Sequence, residues 1–403
     1  MKKFVTLALS ACLLSLLACH KDSSKPPTPP TDSTITTGSL KINLAVSENS
    51  ELIISEPGGT VLLDTIPPSN INLSMSLKTN ATLVDFTSIT AGIGQYFITT
   101  FKAANPTTWT NTFITQYLAY PTPPPPTGND TILYTNTPPL IPSSIQLFTS
   151  GGTNVNFAIT SNYTLQATYA GQPGRYTFLC FPELGLYRLY PTKTVHDTVD
   201  CSVMDTDISG NYNTSSYFTF SDQSIYGFPD STDLTSGLQL YYNNSSSLPQ
   251  FLYPPKVLQK YTALTYFNGS NNDICRSYTY GNTVPSTVTY PVPASSTSTQ
   301  NNNFSLNLNT AKPTYYYTVW KSPTINWTLY SSPDSTTLNP VNLLTTQKSK
   351  LLQGTSLSSL TLTEFNYETI QGYNYLNFLN LVCNSVKPAY TEVTSAIFYD
   401  KTY

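Results

Sequence analysis

Alternating apolar and polar residues are the feature that most limits how this chain can fold. Apolar residues occupy every second position over 40–46 and again over 71–77, a period that places them on one face of an extended strand. Two further apolar segments flank Glu56-Pro57-Gly58-Gly59, a pattern typical of a β-hairpin. Helical periodicity is confined to 341–353 and 370–383. The sequence therefore predicts a mostly β protein with few or no long helices.

Composition narrows the classes of function. Charged residues make up only 10% of the 403, with 19 Lys and Arg against 22 Asp and Glu, whereas about 25% is usual. A basic nucleic-acid surface is therefore not expected, and the 13% aromatic content argues against disorder. With two His in all, little material remains for acid–base or metal chemistry. We therefore expect no cofactor and no enzymatic activity.

The N-terminus carries a targeting pattern. Met1-Lys2-Lys3 is basic, residues 4–17 are apolar, and Leu16-Leu17-Ala18-Cys19 follows. This sequence resembles the lipobox of bacterial lipoproteins, which implies removal of 1–18 as a signal peptide and diacylation of the Cys19 thiol. Two or more acyl chains anchor a protein stably where one does not. The alternatives are an ordinary secretory signal with a chance cysteine, or a buried N-terminal helix.

The residues after Cys19 bear on where the protein is held. His20 stands where proteobacterial lipoproteins retained at the inner membrane usually carry Asp, and Cys19-His20-Lys21-Asp22 resembles the start of Bacteroidota surface lipoproteins. The resemblance implies an outer-membrane lipoprotein of the cell envelope exposed at the cell surface, with the periplasmic face as the alternative. Residues 19–39, rich in Pro, Ser and Thr, are expected to form an extended tether.

Two further segments divide the chain. A Pro-rich linker is expected over 120–142 and a polar linker or loop over 291–303. The predicted fold is a set of tandem β-sandwich-like domains joined by these linkers: a small sandwich over 40–119, loosely similar to prealbumin-like or immunoglobulin-like modules, a β domain over 143–290 and a C-terminal β domain over 304–403. The last boundary can equally be a loop inside one larger domain.

The cysteines allow a disulfide framework. Cys12 leaves with the signal peptide and Cys19 serves as the anchor, so four candidates for disulfides remain: Cys180, Cys201, Cys275 and Cys383. Four cysteines outside the cytoplasm allow three pairings, and Cys180 and Cys201 are near enough in sequence to join adjacent strands. The alternative is buried thiols that pack as small apolar groups.

One polar segment resembles a metal loop. Asp205, Asp207 and Ser209 imitate the start of a calcium-binding loop, but Ser216 replaces the closing carboxylate, and a hairpin turn is the alternative. No metal site is therefore predicted. His196 and Asp197 lack the Gly-x-Ser-x-Gly element of a hydrolase triad. The carboxylates Glu183, Glu364 and Glu368 have no spacing that marks a glycosidase pair.

Asp followed by Ser or Thr recurs along the chain. The triplets resemble the O-glycosylation sequon of Bacteroidota, and the resemblance implies these acceptors: Ser33, Thr65, Thr131, Thr198, Ser231 and Ser335. Several of them fall in predicted linkers or beside predicted turns, where a transferase could reach them.

Aromatic residues cluster near the C-terminus and suggest a glycan platform formed by Tyr315, Tyr317, Trp320 and Trp327. Exposed coplanar rings stack on sugar faces, whereas the same residues can simply build a sandwich core. Burial of both tryptophans would exclude the platform.

Together these features predict a non-catalytic, lipid-anchored lipoprotein displayed at the outer membrane for binding or adhesion. Its partners are the membrane, through Cys19, and a glycan or surface protein. The alternatives are a glycan-binding accessory protein of a polysaccharide-uptake system, a pilus-like structural subunit, and a hydrolase.

Overall fold

Strands dominate the structure, as expected of a sequence rich in Tyr, Thr and Val. The structure is a computed structural model. It describes residues 39–46, 50–68, 71–104, 108–110, 128–139, 145–150, 155–171, 176–192, 196–206, 208–211, 218–231, 237–243, 250–253, 258–270, 273–284, 290, 295–298, 304–308, 312–335, 337–383 and 393–403.

The strands are numbered in chain order from Ser39 to Thr402. The first nine are β1 Ser39–Val46, β2 Ser50–Ser55, β3 Val61–Thr65, β4 Ile71–Lys78, β5 Val84–Ala91, β6 Tyr96–Ala104, β7 Thr108–Thr110, β8 Gly128–Thr135 and β9 Gln146–Thr149. The next ten are β10 Val155–Ser161, β11 Thr164–Gly171, β12 Tyr176–Phe181, β13 Leu186–Pro191, β14 His196–Asp200, β15 Asp205–Thr206, β16 Ile208–Asn211, β17 Phe218–Phe228, β18 Leu238–Asn243 and β19 Gln250–Tyr253. The last nine are β20 Lys260–Gly269, β21 Ile274–Gly281, β22 Ser295–Ser298, β23 Phe304–Asn307, β24 Tyr315–Lys321, β25 Ile325–Ser331, β26 Thr337–Leu338, β27 Thr361–Ile370 and β28 Ser395–Thr402.

Twelve of these strands form one sheet, in the order β18-β17-β20-β21-β28-β27-β24-β25-β6-β5-β2-β3. All neighbours in it are antiparallel except β25 and β6, which are parallel, with Ile325 opposite Tyr96. Strands from all three predicted β segments therefore share the sheet. The boundaries predicted at 120–142 and 291–303 do not coincide with breaks in it, because the β25–β6 pairing reaches across both.

Two four-stranded sheets pack face to face as a sandwich. One sheet has the order β10-β11-β8-β14 and the other β15-β13-β12-β9. Their facing side chains make a separate core that includes Ile132, Leu165 and Phe181, and the Tyr134 hydroxyl crosses it to donate to Thr177 Oγ1 at 2.8 Å. Strand β8 lies inside the predicted linker 120–142. The Pro-rich composition there concealed a strand that supplies Ile132 and Tyr134 to this core.

The two described α-helices cover opposite faces of the twelve-stranded sheet. Helix α1 (Pro340–Gln347) begins at Asn339, whose side chain accepts a hydrogen bond from the Asn342 amide at 2.8 Å, the usual N-cap arrangement. Its Leu344 joins the core on one face. Helix α2 (Tyr375–Cys383) contributes Phe378 to the core on the other face. Neither is long and apolar enough to span a membrane, and no other helix in the described ranges is.

A buried carboxylate ties the first strands to the segment after α1. Glu51 on β2 is fully buried. Its oxygens accept hydrogen bonds from Ser349 Oγ at 2.5 Å, from the Lys350 amide at 2.7 Å and from the Leu351 amide at 3.0 Å. Partners about 300 residues apart in sequence are thus joined directly. The prediction of a mostly β, sandwich-like fold with few helices is confirmed.

Candidate functional site

Charged side chains converge on one face of the central strands of the large sheet. Arg276 on β21 lies opposite Phe398 on β28, and Phe398 lies opposite Glu368 on β27. Because alternate residues of a strand share a face, Asp400 joins them on the same side. The Arg276 guanidinium lies 5.0 Å from the centre of the Phe398 ring, and its Nη2 donates to Asp400 Oδ2 at 3.1 Å. We call Arg276, Glu368 and Asp400 the ion cluster.

Aromatic residues enclose one side of the ion cluster. Tyr315 lies opposite Glu368 on the neighbouring strand and hydrogen-bonds to its carboxyl group. Its ring stacks on Phe378 of α2, with ring centres 3.7 Å apart. The helix therefore covers the Glu368 end of the ion cluster. The Arg276 and Asp400 side chains remain 38% and 30% exposed, so the other end meets solvent.

Burial changes the acidity of Glu368. Loss of hydration raises the pKa of its carboxyl group to about 7, although the hydrogen bond from Tyr315 and the positive charge of Arg276 oppose the rise. The charge of Asp400 acts in the same direction as burial. Since the unfolded chain releases this proton at lower pH, the contribution of Glu368 to stability is complete in acid and falls as pH rises from about 4.5 through 7. The ion cluster can thus bind or release a proton near neutrality.

The geometry favours an internal role for this proton. Glu368 Oε2 and Arg276 Nε are buried, and neither atom has a hydrogen-bond partner among the described residues. Because Oε2 is closed off from solvent, the proton of Glu368 is held against side chains of the protein in this structure. Asp400 is already engaged by Arg276. Within the described ranges, no three His, Cys, Asp or Glu side chains are grouped to hold a metal ion.

The predicted glycan platform is wrong. Trp320 and Trp327 lie opposite each other on β24 and β25 and are fully buried. Their indole nitrogens donate to hydroxyls inside the protein, Trp320 to Thr318 Oγ1 at 2.9 Å and Trp327 to Thr100 Oγ1 at 3.0 Å. Helix α1 and its neighbours cover this face of the sheet. The predicted partners Tyr315 and Tyr317 lie on the opposite face, where Tyr315 is buried and Tyr317 half-buried.

The cysteines are thiols where the structure describes them. Cys180, Cys201 and Cys275 are buried and none of them is in a disulfide, so the closeness of Cys180 and Cys201 in sequence does not lead to a bridge between them. The two residues pack in different cores. Burial raises the pKa of Cys201 to about 11 and that of Cys275 further above its ordinary value. The side chain of Cys383 lies outside the described residues.

The segment that resembled a calcium loop is extended on both sides of Asp207. Asp205 pairs with Tyr187 in β15, and Ser209 pairs with Leu252 in β16. A calcium loop instead curls so that its oxygens converge. Asp207 itself lies outside the described residues. His196 and Asp197 begin β14, and neither Glu183 nor Glu364 belongs to the ion cluster.

The proposed glycosylation acceptors differ in accessibility. Thr198 is exposed, whereas four others are half-buried: Thr65, Thr131, Ser231 and Ser335. Asp130, which precedes Thr131, is only 3% exposed, so a transferase could not read that motif on the folded protein. Ser33 and the proposed lipidation site Cys19 lie outside the described residues.

The ion cluster was only partly foreseeable. Glu368 is among the carboxylates that the sequence offers, but Arg276 and Asp400 carry no local signal. They meet because β28 lies between β21 and β27 in the sheet. This order brings Arg276 close to Glu368, 92 positions later in the chain, and to Asp400, 124 positions later. No protein-family model matches the sequence, and no curated protein is significantly similar to it.

Proposed function

We propose that this chain is a lipid-anchored protein of the bacterial cell envelope, displayed at the outer membrane for binding or adhesion and without catalytic activity. The observation that carries the proposal is the order of segments at the N-terminus. A basic start, an apolar run, Leu16-Leu17-Ala18-Cys19 and a Pro-rich tether precede the first strand at Ser39.

The β structure after the tether suits a binding role. The sequence is rich in uncharged Tyr, Asn, Ser and Thr and has few charged residues, a composition that favours recognition through polar, uncharged side chains. With Lys2 and Lys3 removed, the mature balance is 17 positive against 22 negative residues. A slightly acidic protein is not drawn to anionic lipid by charge, so acyl chains at Cys19 would supply the attachment.

The alternatives fare differently. A glycan-binding accessory protein was favoured by exposed tryptophans, and burial of Trp320 and Trp327 removes that support. A hydrolase would need His196 or a pair of carboxylates in a pocket, and of these carboxylates Glu368 has a buried Oε2. For the alternative of a pilus-like structural subunit, one observation remains in support: β10 is an exposed strand at the edge of its sheet.

Lipidation is tested by growing cells that express the full chain with a clickable fatty acid. We expect the label on wild-type protein and none on Cys19→Ser. Cys12→Ser is the matched control, because it changes a cysteine of the same N-terminal segment and should keep the label. Protease treatment of intact cells then reports surface display. Equal labelling of wild-type protein and Cys19→Ser would refute the anchor.

A further inference from the structure

Strand β10 is an uncovered edge. It is the outermost strand of its sheet, next to β11, and six of its seven residues are exposed. No described strand pairs with its outer side. Main-chain N–H and C=O groups along such an edge can accept another strand.

The apolar side of β10 continues the core of the sandwich. Phe157 lies opposite Ala167 and Ile159 opposite Leu165, and both of these β11 partners are buried core residues. Phe157 and Ile159 are nevertheless 39% and 36% exposed. Apolar side chains next to the core of the sandwich are therefore exposed to solvent at this edge, where polar side chains would be expected.

Charge does not protect this edge. Residues 131–174 contain no Asp, Glu, Lys, Arg or His, whereas β14, on the opposite edge of the same sheet, begins with His196 and Asp197 and ends with Asp200. Charged residues are the usual device that prevents edge-to-edge pairing. The chain is net negative, so a segment without charged residues is where two copies approach each other with the least electrostatic repulsion.

We propose that β10 pairs with β10 of a second copy of this chain, antiparallel and about a two-fold axis. The strand Val155–Ser161 has its midpoint at Ala158. An antiparallel pair centred there puts Phe157 of each copy opposite Ile159 of the other, within the part of β10 that pairs regularly with β11, and the irregularity between Ile159 and Ser161 lies beyond it. Aromatic and β-branched residues make favourable cross-strand pairs, and the two apolar strips merge into one.

This pairing closes on itself. A two-fold interface uses the same surface on both copies, so pairing through β10 stops at two copies and gives a dimer. One strand pair is small beside the roughly 1,200–2,000 Å² that a stable interface buries. The dimer is therefore expected to be weak in dilute solution and favoured where copies are concentrated on a membrane. The geometry of the pair goes beyond the proposed function, whereas its formation on cells rests on the anchor proposed there.

Cysteine crosslinking on membranes of cells that express the full chain tests the pairing. Ala158→Cys places a thiol on the two-fold axis, where facing Cβ atoms of an antiparallel pair are about 4.5–5.5 Å apart. Mild oxidation with oxygen and a copper catalyst should give a band of twice the monomer mass on a non-reducing gel. Gln166→Cys is the matched control, since it is exposed on the same hairpin but away from the outer edge. Wild-type protein reports any crosslinking by the native cysteines.

A second variant tests the apolar strip. Adding Ile159→Lys to Ala158→Cys should abolish the dimer band, because each added charge would face Phe157 of the other copy. The fatty-acid label in the same gel reports the anchor separately. In cells whose protein carries the label, absence of the Ala158→Cys band, an equal band from Gln166→Cys, or survival of the band with Ile159→Lys would overturn the pairing. If the label is absent, the same three outcomes decide it on the purified full chain at high concentration.

Discussion

Replacement of Glu51 tests how the first strands are held to the rest of the protein. Its buried carboxylate accepts three hydrogen bonds from Ser349, Lys350 and Leu351. Glu51→Ala removes all three, and Glu51→Gln keeps one acceptor oxygen but turns an NH₂ group toward N–H and O–H donors. The alanine variant should therefore be the more damaging of the two.

The size of the effect follows from the hydrogen bonds. Bonds to a charged group contribute about 1.5–3 kcal/mol each, but water can reach the partly buried Lys350 and Leu351 amides in the variant. We therefore expect Glu51→Ala to lower the free energy of unfolding by about 3–5 kcal/mol and Glu51→Gln by about half as much. Native stabilities are about 5–15 kcal/mol, so the loss is a large fraction of the whole.

Urea unfolding of the full chain measures this loss, with the midpoint and slope fitted together. Glu364→Gln is the matched control, because Glu364 pairs with Lys321 at the surface with both side chains more than a third exposed, and it should change stability by under about 1 kcal/mol. Hydrogen exchange at the Lys350 and Leu351 amides should accelerate in Glu51→Ala. A change within about 0.5 kcal/mol for that variant would show that Glu51 does not hold these segments together.

Three further outcomes are expected. Between pH 4.5 and pH 7.5 the free energy of unfolding of the wild-type protein should fall by about 3 kcal/mol more than that of Glu368→Gln, because the pKa of Glu368 is raised to about 7 only in the folded state. Parallel profiles of unfolding free energy against pH would contradict this. Lys102→Met should cost about 3–5 kcal/mol in urea unfolding, because its partner Asp85 is fully buried, whereas Lys321→Met should cost under about 1 kcal/mol; equal losses would refute the distinction. The three described thiols should react with maleimide only after unfolding, and a reductant should leave the melting temperature unchanged.

The sequence predicted individual strands better than their partners. The alternating segments over 40–46 and 71–77 are β1 and β4, which pair along their whole length. The hairpin at Glu56 forms as expected, with Gly59 at a φ of 93°. Period and turn residues are local signals, and local signals suffice for these elements. The parallel pairing of β25 with β6 has no such signal, so the continuity of the large sheet was missed.

The candidate site was less predictable for a related reason. Alternation indicates which residues of a strand share a face, but whether that face is covered depends on distant elements. In the sequence Trp327 looks available for ligand binding. In the structure its indole N–H donates to Thr100, 227 positions earlier in the chain. Likewise the pKa of Glu368 is raised by its burial in the assembled sheet, next to Tyr315, on which Phe378 of α2 stacks. Burial of these residues is a property of the assembled sheet.

The parallel contact between β25 and β6 also bears on how the chain folds. Ile325 lies opposite Tyr96, 229 residues earlier in the chain. One edge of β6 therefore stays unpaired until β25 has been synthesised. Contacts of such long range slow folding, and unpaired strand edges promote aggregation meanwhile. If the chain is exported as proposed, its first strands would cross the membrane well before their partners. The supply of periplasmic factors that shield the edge of β6 from aggregation would then limit the yield of folded protein.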